Sequence, residues 1–178
     1  NFITCKSFEG ADFFSETGLC FVVSNVHVKH TLASIDLDIP QIAGRIRNKE
    51  NPFRNMVIHI FNTKHDDSFM SYEDYKEATK KELDIAKERA AAFNQLSPEA
   101  KKQQAKEVKD SLYIRYANGV FEVNDRIVNY KLYEYKLTHQ IYSSSHGLQQ
   151  AYDKSGAIHS KVHWQRFECS DLNRYGKS

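Results

Sequence analysis

Apolar and polar positions divide the chain into a first part with strand-like runs and a second part with helix-like spacing. Largely apolar runs occur at residues 2–5, 19–23 and 56–61 and are predicted to be strands. The run at 19–23 is continuously apolar, which is typical of a strand buried on both faces of a parallel sheet. Residues 35–47, between the second and third runs, are predicted to be helical, with Asp38 as the N-cap.

Strands separated by helix-length segments predict a parallel sheet. Residues 1–66 are therefore expected to form an α/β unit, and because three strands make a small sheet, part of it is expected to be missing. The chain opens on an apolar run at Asn1, without an initiator Met or a signal peptide. We interpret it as an excised part of a longer protein.

Residues 71–113 change to helical spacing. A narrow apolar stripe recurs at intervals of three and four residues, at Leu83, Ala86, Ala90 and Phe93. Ser71 and Asp74 resemble a capping box, and Ser97 followed by Pro98 predicts the start of a second helix. These signals predict a helical hairpin with a mostly solvated surface.

The Asn-Gly pair at 118–119 lies between two runs rich in β-forming residues. It predicts a type I′ hairpin, because both positions tolerate a positive φ. Asn124 or Asp125 is then expected to cap a helix over residues 126–142. Residues 67–178 are therefore predicted to be a mainly helical accessory extension that contains one β-hairpin.

Composition narrows the class of protein only slightly. Hydrophobic residues make up 40% and charged residues 27% of the 178 residues, as in an ordinary globular protein. The net charge of +2 does not mark a nucleic-acid binder. Three cysteines without a CxxC spacing argue against a disulfide framework or a zinc ribbon, and they fit a reducing cytoplasm. No metal site is predicted.

Two segments of the first part carry residues that suit nucleotide chemistry. The first segment contains Thr4 and Lys6 and continues to Gly10 and Asp12. Glycine permits close approach of the backbone to a ligand, and an aspartate accepts a hydrogen bond from a ribose hydroxyl. A threonine hydroxyl and nearby backbone N–H groups hold nucleic-acid phosphates. A strand-to-loop turn that binds nothing is the alternative interpretation.

The second segment places Arg45 and Arg47 near the end of the predicted helix, after Gln41 and Gly44. An arginine guanidinium is always charged and forks onto phosphate oxygens. In phosphoryl transfer such a group stabilises the charge that develops in the transition state. A solvated helix end is the alternative, because the helix dipole also favours cations there.

Together, the order and spacing of the two segments resemble motifs V and VI of superfamily 2 helicases, the DEAD/DEAH-like enzymes. Motif V has Gly six residues after Thr and Asp two residues later, which is matched by Thr4, Gly10 and Asp12. The apolar run at 19–23 falls where the family has a strand. The resemblance covers residues 1–62.

Motif VI of this family has the form Gln-x-x-Gly-Arg-x-x-Arg, and Gln41, Gly44 and Arg45 match it. The last arginine should stand at position 48, where this chain has Asn48, and Arg47 lies one residue earlier. Two alternatives follow from this departure. Either Arg47 takes the role through a shifted backbone, or Arg45 acts alone.

The resemblance implies a RecA-like motor that binds ATP and Mg²⁺ between two domains. The implied roles are catalysis by Arg45 and Arg47, ATP binding by Gly10, Asp12, Gln41 and Gly44, and contact with DNA or RNA by Thr4 and Lys6. Residues 1–66 would be the C-terminal half of the second RecA-like domain.

The chain contains no GxxxxGK[ST] phosphate loop and no Asp-Glu-x-His motif. The resemblance therefore implies a missing N-terminal RecA-like domain as the partner in ATP binding. The chain alone is expected to bind no cofactor and to be inactive. The alternative is a non-catalytic binding module in which Arg45 and Arg47 dock an anionic partner.

Overall fold

The computed structural model describes residues 10–66, 69–156 and 162–165. Within them the protein is mixed α/β, with two small sheets and several helices. The first part contains β1 (Cys20–Ser24), α1 (Asp38–Ala43) and β2 (Val57–Phe61). The second part contains α2 (Tyr72–Asn94), α3 (Pro98–Glu107), β3 (Ile114–Ala117), β4 (Val120–Val123), α4 (Ile127–Lys136) and α5 (Ser145–Lys154). A π-helical segment, Leu137–Ile141, continues α4.

Strands β1 and β2 pair in parallel, from Cys20 opposite Val57 to Ser24 opposite Phe61. The parallel arrangement predicted for the second and third apolar runs is therefore confirmed. The first predicted strand, at residues 2–5, lies outside the described residues. A short parallel bridge between Phe13 and Ile46 adds to the same part of the structure.

The connection between β1 and β2 contains a shorter helix than the sequence predicts. Helix α1 begins at Asp38, so Asp38 is its first residue rather than its N-cap. The Asp38 carboxylate instead accepts a hydrogen bond from the backbone N–H of Ser34 at 2.7 Å. The helix ends before Gly44, because Ile46 leaves it to form the bridge with Phe13.

The two faces of the β1–β2 sheet have opposite surroundings. One face lies on a hydrophobic core, to which an early and a late segment of the described residues contribute: Val22, Val26, Leu32, Ala33, Ile35, Ile39, Leu137, Tyr142, Leu148 and Tyr152. The other face, here called the outer face, carries Phe21, Val23, Ile58 and Ile60, with exposures of 59%, 63%, 39% and 51%. The prediction that the run at 19–23 is buried on both faces is therefore wrong within the described residues.

The second part follows its local sequence signals closely. Ser71 caps α2 by accepting a hydrogen bond from the N–H of Asp74 at 3.2 Å. Ser97 caps α3 by accepting one from the N–H of Ala100 at 3.3 Å. Both predicted helix starts are confirmed. Helix α2 and the β3–β4 hairpin share a second core, formed by Ala86, Ala90, Val108, Ile114 and Phe121.

The hairpin turn has the predicted geometry, since φ is 52° at Asn118 and 81° at Gly119. The predicted cap of the following helix is wrong, because α4 follows Arg126 and no side chain caps its first turn. Asn124 instead prolongs the hairpin, and its N–H donates to the carbonyl of Tyr113 at 2.8 Å. Every helix among the described residues is too short or too polar to cross a membrane.

Candidate functional site

Backbone pairing brings the two motif-like segments together. The N–H of Phe13 donates to the carbonyl of Arg45 at 2.9 Å, and the N–H of Arg47 donates to the carbonyl of Phe13 at 2.8 Å. This ladder fixes the residues on either side of Phe13 against the end of the loop that follows α1. Asp12 therefore lies beside the two arginines, although more than thirty residues separate them in the chain.

The side chains of Asp12, Arg45 and Arg47 form one charged cluster, the Asp12 cluster. The Nε of Arg47 lies 2.9 Å from Oδ1 of Asp12, and Nη1 of Arg45 lies 3.8 Å from the same oxygen. The cluster contains two cations and one carboxylate, so it attracts an anion. The Arg45 side chain is only 16% exposed, whereas Arg47 is 51% and Asp12 is 43% exposed.

Because they differ in exposure, Arg45 and Arg47 are suited to different roles. The pairs with Asp12 are partly open to solvent, and ion pairs of this kind contribute only about 0–1 kcal/mol to stability. Their main effect is to orient the guanidinium groups. Arg45 is held against the protein, while Arg47 keeps a solvent-facing side that is able to meet a phosphate or carboxylate.

The remaining predicted site residues flank this cluster along the chain. Gly10 and Gln41 are exposed, Gly10 in a turn before Asp12 and Gln41 on α1. Gly44 ends α1 with φ at −77°, and a Cβ there would meet the carbonyl oxygen of Pro40 at an ordinary 3.5 Å. The backbone therefore does not require glycine at this position. Thr4 and Lys6 lie outside the described residues.

The Asp12 cluster lies near the start of β1, not beyond the ends of the described strands. Helix α1 runs back along the sheet, and the Cys20 thiol contacts the carbonyl of Ile42 at 3.9 Å. Ligand sites of open α/β sheets lie beyond the carboxyl ends of the strands. For Asp12 and Arg45 this expectation does not hold with respect to β1, because the returning helix carries the arginines to the opposite end.

Asn51 is a residue of this region that sequence reasoning missed. It is 4% exposed, and its amide nitrogen donates to the carbonyls of Ser15 and Gly18, both at 2.9 Å. Its amide oxygen accepts from the N–H of Phe53 at 2.7 Å. Asn51 thus fastens the loop after Arg47 to the loop after Asp12. An asparagine in a polar loop offered no signal by itself.

A second polar cluster lies on the covered face of the sheet, around His59 of β2. His59 Nδ1 is 2.7 Å from the Tyr152 hydroxyl, and Nε2 is 3.0 Å from the Ser24 hydroxyl. The Tyr142 hydroxyl donates to the carbonyl of Ala33 at 2.8 Å and lies 3.1 Å from the Ser24 hydroxyl. Burial lowers the pKa of His59 to about 4 and raises the pKa of Tyr142 to about 12.

The Ser24–His59 pair has the spacing of a nucleophile and its base, but its surroundings point to a structural role. Ser24 is 2% exposed and Tyr142 is fully buried. The Ser24 hydroxyl also accepts a hydrogen bond from the backbone N–H of Ala33 at 3.2 Å. No substrate reaches a hydroxyl enclosed in this way. The alternation along β2 places His59 on the same face as Val57 and Phe61, which is the signal that could have indicated its burial.

The described residues bring together no group of three or more His, Cys, Asp or Glu side chains that could hold a metal ion. No known protein family, curated protein or solved structure matches the chain. The chemistry assigned to the Asp12 cluster therefore depends on its geometry and on the resemblance of its residues to helicase motifs V and VI.

Proposed function

We propose that this chain is the C-terminal part of an ATP-dependent helicase or translocase of superfamily 2, and that it supplies one wall of the ATP cleft and part of the nucleic-acid track. One observation carries the proposal. The Asp of the motif V-like segment and the arginines of the motif VI-like segment touch the same point in space. This contact supports the proposal, because the family's motifs V and VI contribute to one site.

The outer face of the sheet also supports the proposal. Parallel sheets are normally covered on both faces, and here Phe21 and Val23 remain more than half exposed. A RecA-like domain needs a further layer against this face. The preceding part of the proposed parent protein would supply it.

In this proposal Arg47 reaches the γ-phosphate and Arg45 positions it. Arg47 is the more exposed of the two, and it shares the Asp12 oxygen with Arg45. The parent protein would also need a phosphate-binding loop and acidic Mg²⁺ ligands in its preceding part, because this chain has neither motif. A parent sequence without them contradicts the proposal.

The decisive experiment measures ATP hydrolysis by the full-length parent protein. An arginine that meets the γ-phosphate mainly in the transition state lowers kcat when it is removed and affects ATP affinity less. We expect Arg47→Ala to lower kcat by roughly 10³-fold or more. Arg47→Lys should not restore turnover, since an ammonium group does not fork onto two oxygens.

Arg54→Ala is the matched control, because Arg54 is exposed and stands outside the cluster. It should hydrolyse ATP at the parental rate. Arg45→Ala should lower kcat as well, since Arg45 also pairs with Asp12. If the alanine variants at positions 45 and 47 both hydrolyse ATP normally, the motif resemblance is accidental and a non-catalytic module that docks an anionic partner replaces this proposal.

A further inference from the structure

An open cleft lies between the first turn of α2 and one face of α4. Its volume is about 210 Å³, and it is lined by Tyr72, Asn129, Leu132, Tyr133 and Lys136. The four residues from α4 recur at intervals of three, one and three positions, so they share one helix face. Helix packing does not fill this face, although α2 and α4 contact each other nearby.

The lining combines aromatic rings with cations. Tyr133 is 42% exposed, and Tyr72 forms the opposite wall. The Lys136 ammonium lies 5.3 Å from the centroid of the Tyr72 ring, and the Lys76 ammonium lies 6.0 Å from it. None of the five lining residues is acidic. Lys76 also contacts Glu73 at 3.2 Å, but Glu73 is 73% exposed, so this pair is weak and exchangeable.

The Tyr133 ring is held at its hydroxyl end. Burial raises the pKa of Tyr133, a hydrogen bond with the Ser34 side chain lowers it, and the carboxylates of Asp38 and Asp36 raise it. These carboxylates would repel a phosphate at the hydroxyl end of the ring. The cations stand beside Tyr72. The cleft therefore places positive charge next to an aromatic ring.

We propose that this cleft binds one base of a single-stranded nucleic acid. The base stacks on the exposed ring of Tyr133, and the Asn129 amide hydrogen-bonds to its edge. Lys136 and Lys76 contact the neighbouring phosphates. Exposed aromatic rings next to lysines are the usual platform for single strands, because every base has a π-face that stacks. A protein partner would favour a continuous apolar stripe, whereas this face alternates apolar and polar groups.

This inference deepens the nucleic-acid half of the proposed function, and it gives residues 67–178 a role in holding the strand. It is independent of the Asp12 cluster, because the cleft contains neither Asp12 nor an arginine. Strand binding therefore needs no ATP and is measurable on the chain as it stands.

The test uses fluorescence anisotropy to measure the affinity of the chain for two labelled strands. One is an oligothymidine of about 10 nucleotides, and the other is the matching oligouridine. We expect Tyr133→Ala to weaken binding by about 5- to 150-fold. Tyr133→Phe keeps the stacking ring and should bind like the parent chain. Lys136→Gln should weaken binding and reduce the slope of log K against log salt by about 1.

Tyr130→Ala is the matched control, because Tyr130 does not line the cleft and is 56% exposed. It should leave the affinity unchanged. An abasic oligonucleotide of equal length should bind weakly, and Tyr133→Ala should not weaken it further. Circular dichroism checks that each variant is folded, and Tyr133→Phe keeps the test decisive if Tyr133→Ala does not fold.

Three results would overturn the inference: equal affinities of the Tyr133→Ala and Tyr130→Ala variants, equal affinities for the abasic and intact strands, or no binding even at low salt. An Arg47→Ala chain should bind the strand normally. Loss of ATP turnover in the parent with strand binding intact would then separate the motor proposal from this one.

Discussion

At the scale of single residues, the pKa of His59 depends strongly on the groups that surround its ring. Its ring is enclosed by the hydroxyls of Ser24, Tyr142 and Tyr152, and burial lowers its pKa from 6.5 to about 4. Neutral imidazole both donates and accepts a hydrogen bond, and therefore suits this position between two hydroxyls. The protonated ring would bring an uncompensated charge into the core.

The lowered pKa of His59 predicts how stability depends on pH. Between pH 6.5 and about 4 the unfolded chain binds the proton more tightly than the folded chain. The stabilisation is complete above pH 6.5 and is lost as the pH falls towards 4. The full shift corresponds to on the order of 3 kcal/mol. Urea unfolding at about pH 7 and about pH 5 measures the difference.

A pair of histidine variants isolates this effect. His59→Gln should lower the free energy of unfolding at neutral pH and should also weaken its decline in acid. His27→Gln is the control, because His27 is exposed. If His59→Gln retains the full acid-dependent loss of stability, other groups cause it and His59 is not the sensitive residue.

At the scale of elements, the β3–β4 hairpin shows how one backbone position sets a local structure. Gly119 has φ at +81°, and a Cβ added there would meet no atom within 4 Å. Any effect of Gly119→Ala therefore comes from the left-handed backbone alone. We expect it to lower the free energy of unfolding by about 1 kcal/mol, as measured by chemical denaturation.

Gly156→Ala serves as the control for Gly119→Ala. Gly156 also has open space around it, but it does not have a positive φ. Its replacement by Ala should be neutral or slightly stabilising, because the unfolded chain loses conformational freedom. If the two substitutions change the free energy of unfolding equally, an alanine at position 119 does not strain the hairpin turn.

The elements also show which parts of the fold a sequence reveals. The hairpin and the starts of α2 and α3 were predictable, because Asn118, Gly119, Ser71 and Ser97 act on residues within three positions of themselves. The hydrogen bond between Ser24 and Tyr142 joins residues 118 positions apart. No local pattern contains such a contact.

The candidate site was predictable to a similar extent. The resemblance to motifs V and VI assigned Asp12 and Arg45 to one site, and their side chains lie together. It did not reveal the bridge through Phe13 or the fastening by Asn51, because both depend on where the loops pass in space. The sequence also did not predict that α1 ends before Gly44, because this too depends on where the following loop passes in space.

At the scale of the whole molecule, residues 22–39 and residues 137–152 share one core, and the sheet divides that core from solvent. Tyr142, Leu148 and Tyr152 pack with residues of β1 and of the segment that follows it. Residues 137–152 thus cover one face of the sheet. The role of residues 67–178 as an accessory extension stays a prediction, but the sheet depends on residues 137–152 for its core.

The outer face predicts how the isolated chain behaves in solution. Phe21 lies opposite Ile58 and Val23 lies opposite Ile60, and all four side chains are substantially exposed. Contiguous apolar patches of this kind promote association, and a net charge of only +2 opposes it weakly. We expect the chain to self-associate as its concentration rises, which sedimentation velocity measures.

Val23→Lys tests whether the outer face is the cause. It places a charge in the centre of this face and should shift the isolated chain towards the monomer. Val120→Lys is the matched control, because Val120 is 46% exposed on the distant hairpin, and it should leave association unchanged.

In the proposed full-length protein a further layer covers Val23, so Val23→Lys there should bury a charge and lower the free energy of unfolding. The substitution should therefore reduce self-association of the isolated chain and lower the stability of the full-length parent. If it leaves the stability of the parent unchanged, Val23 is exposed in both and no further layer covers this face.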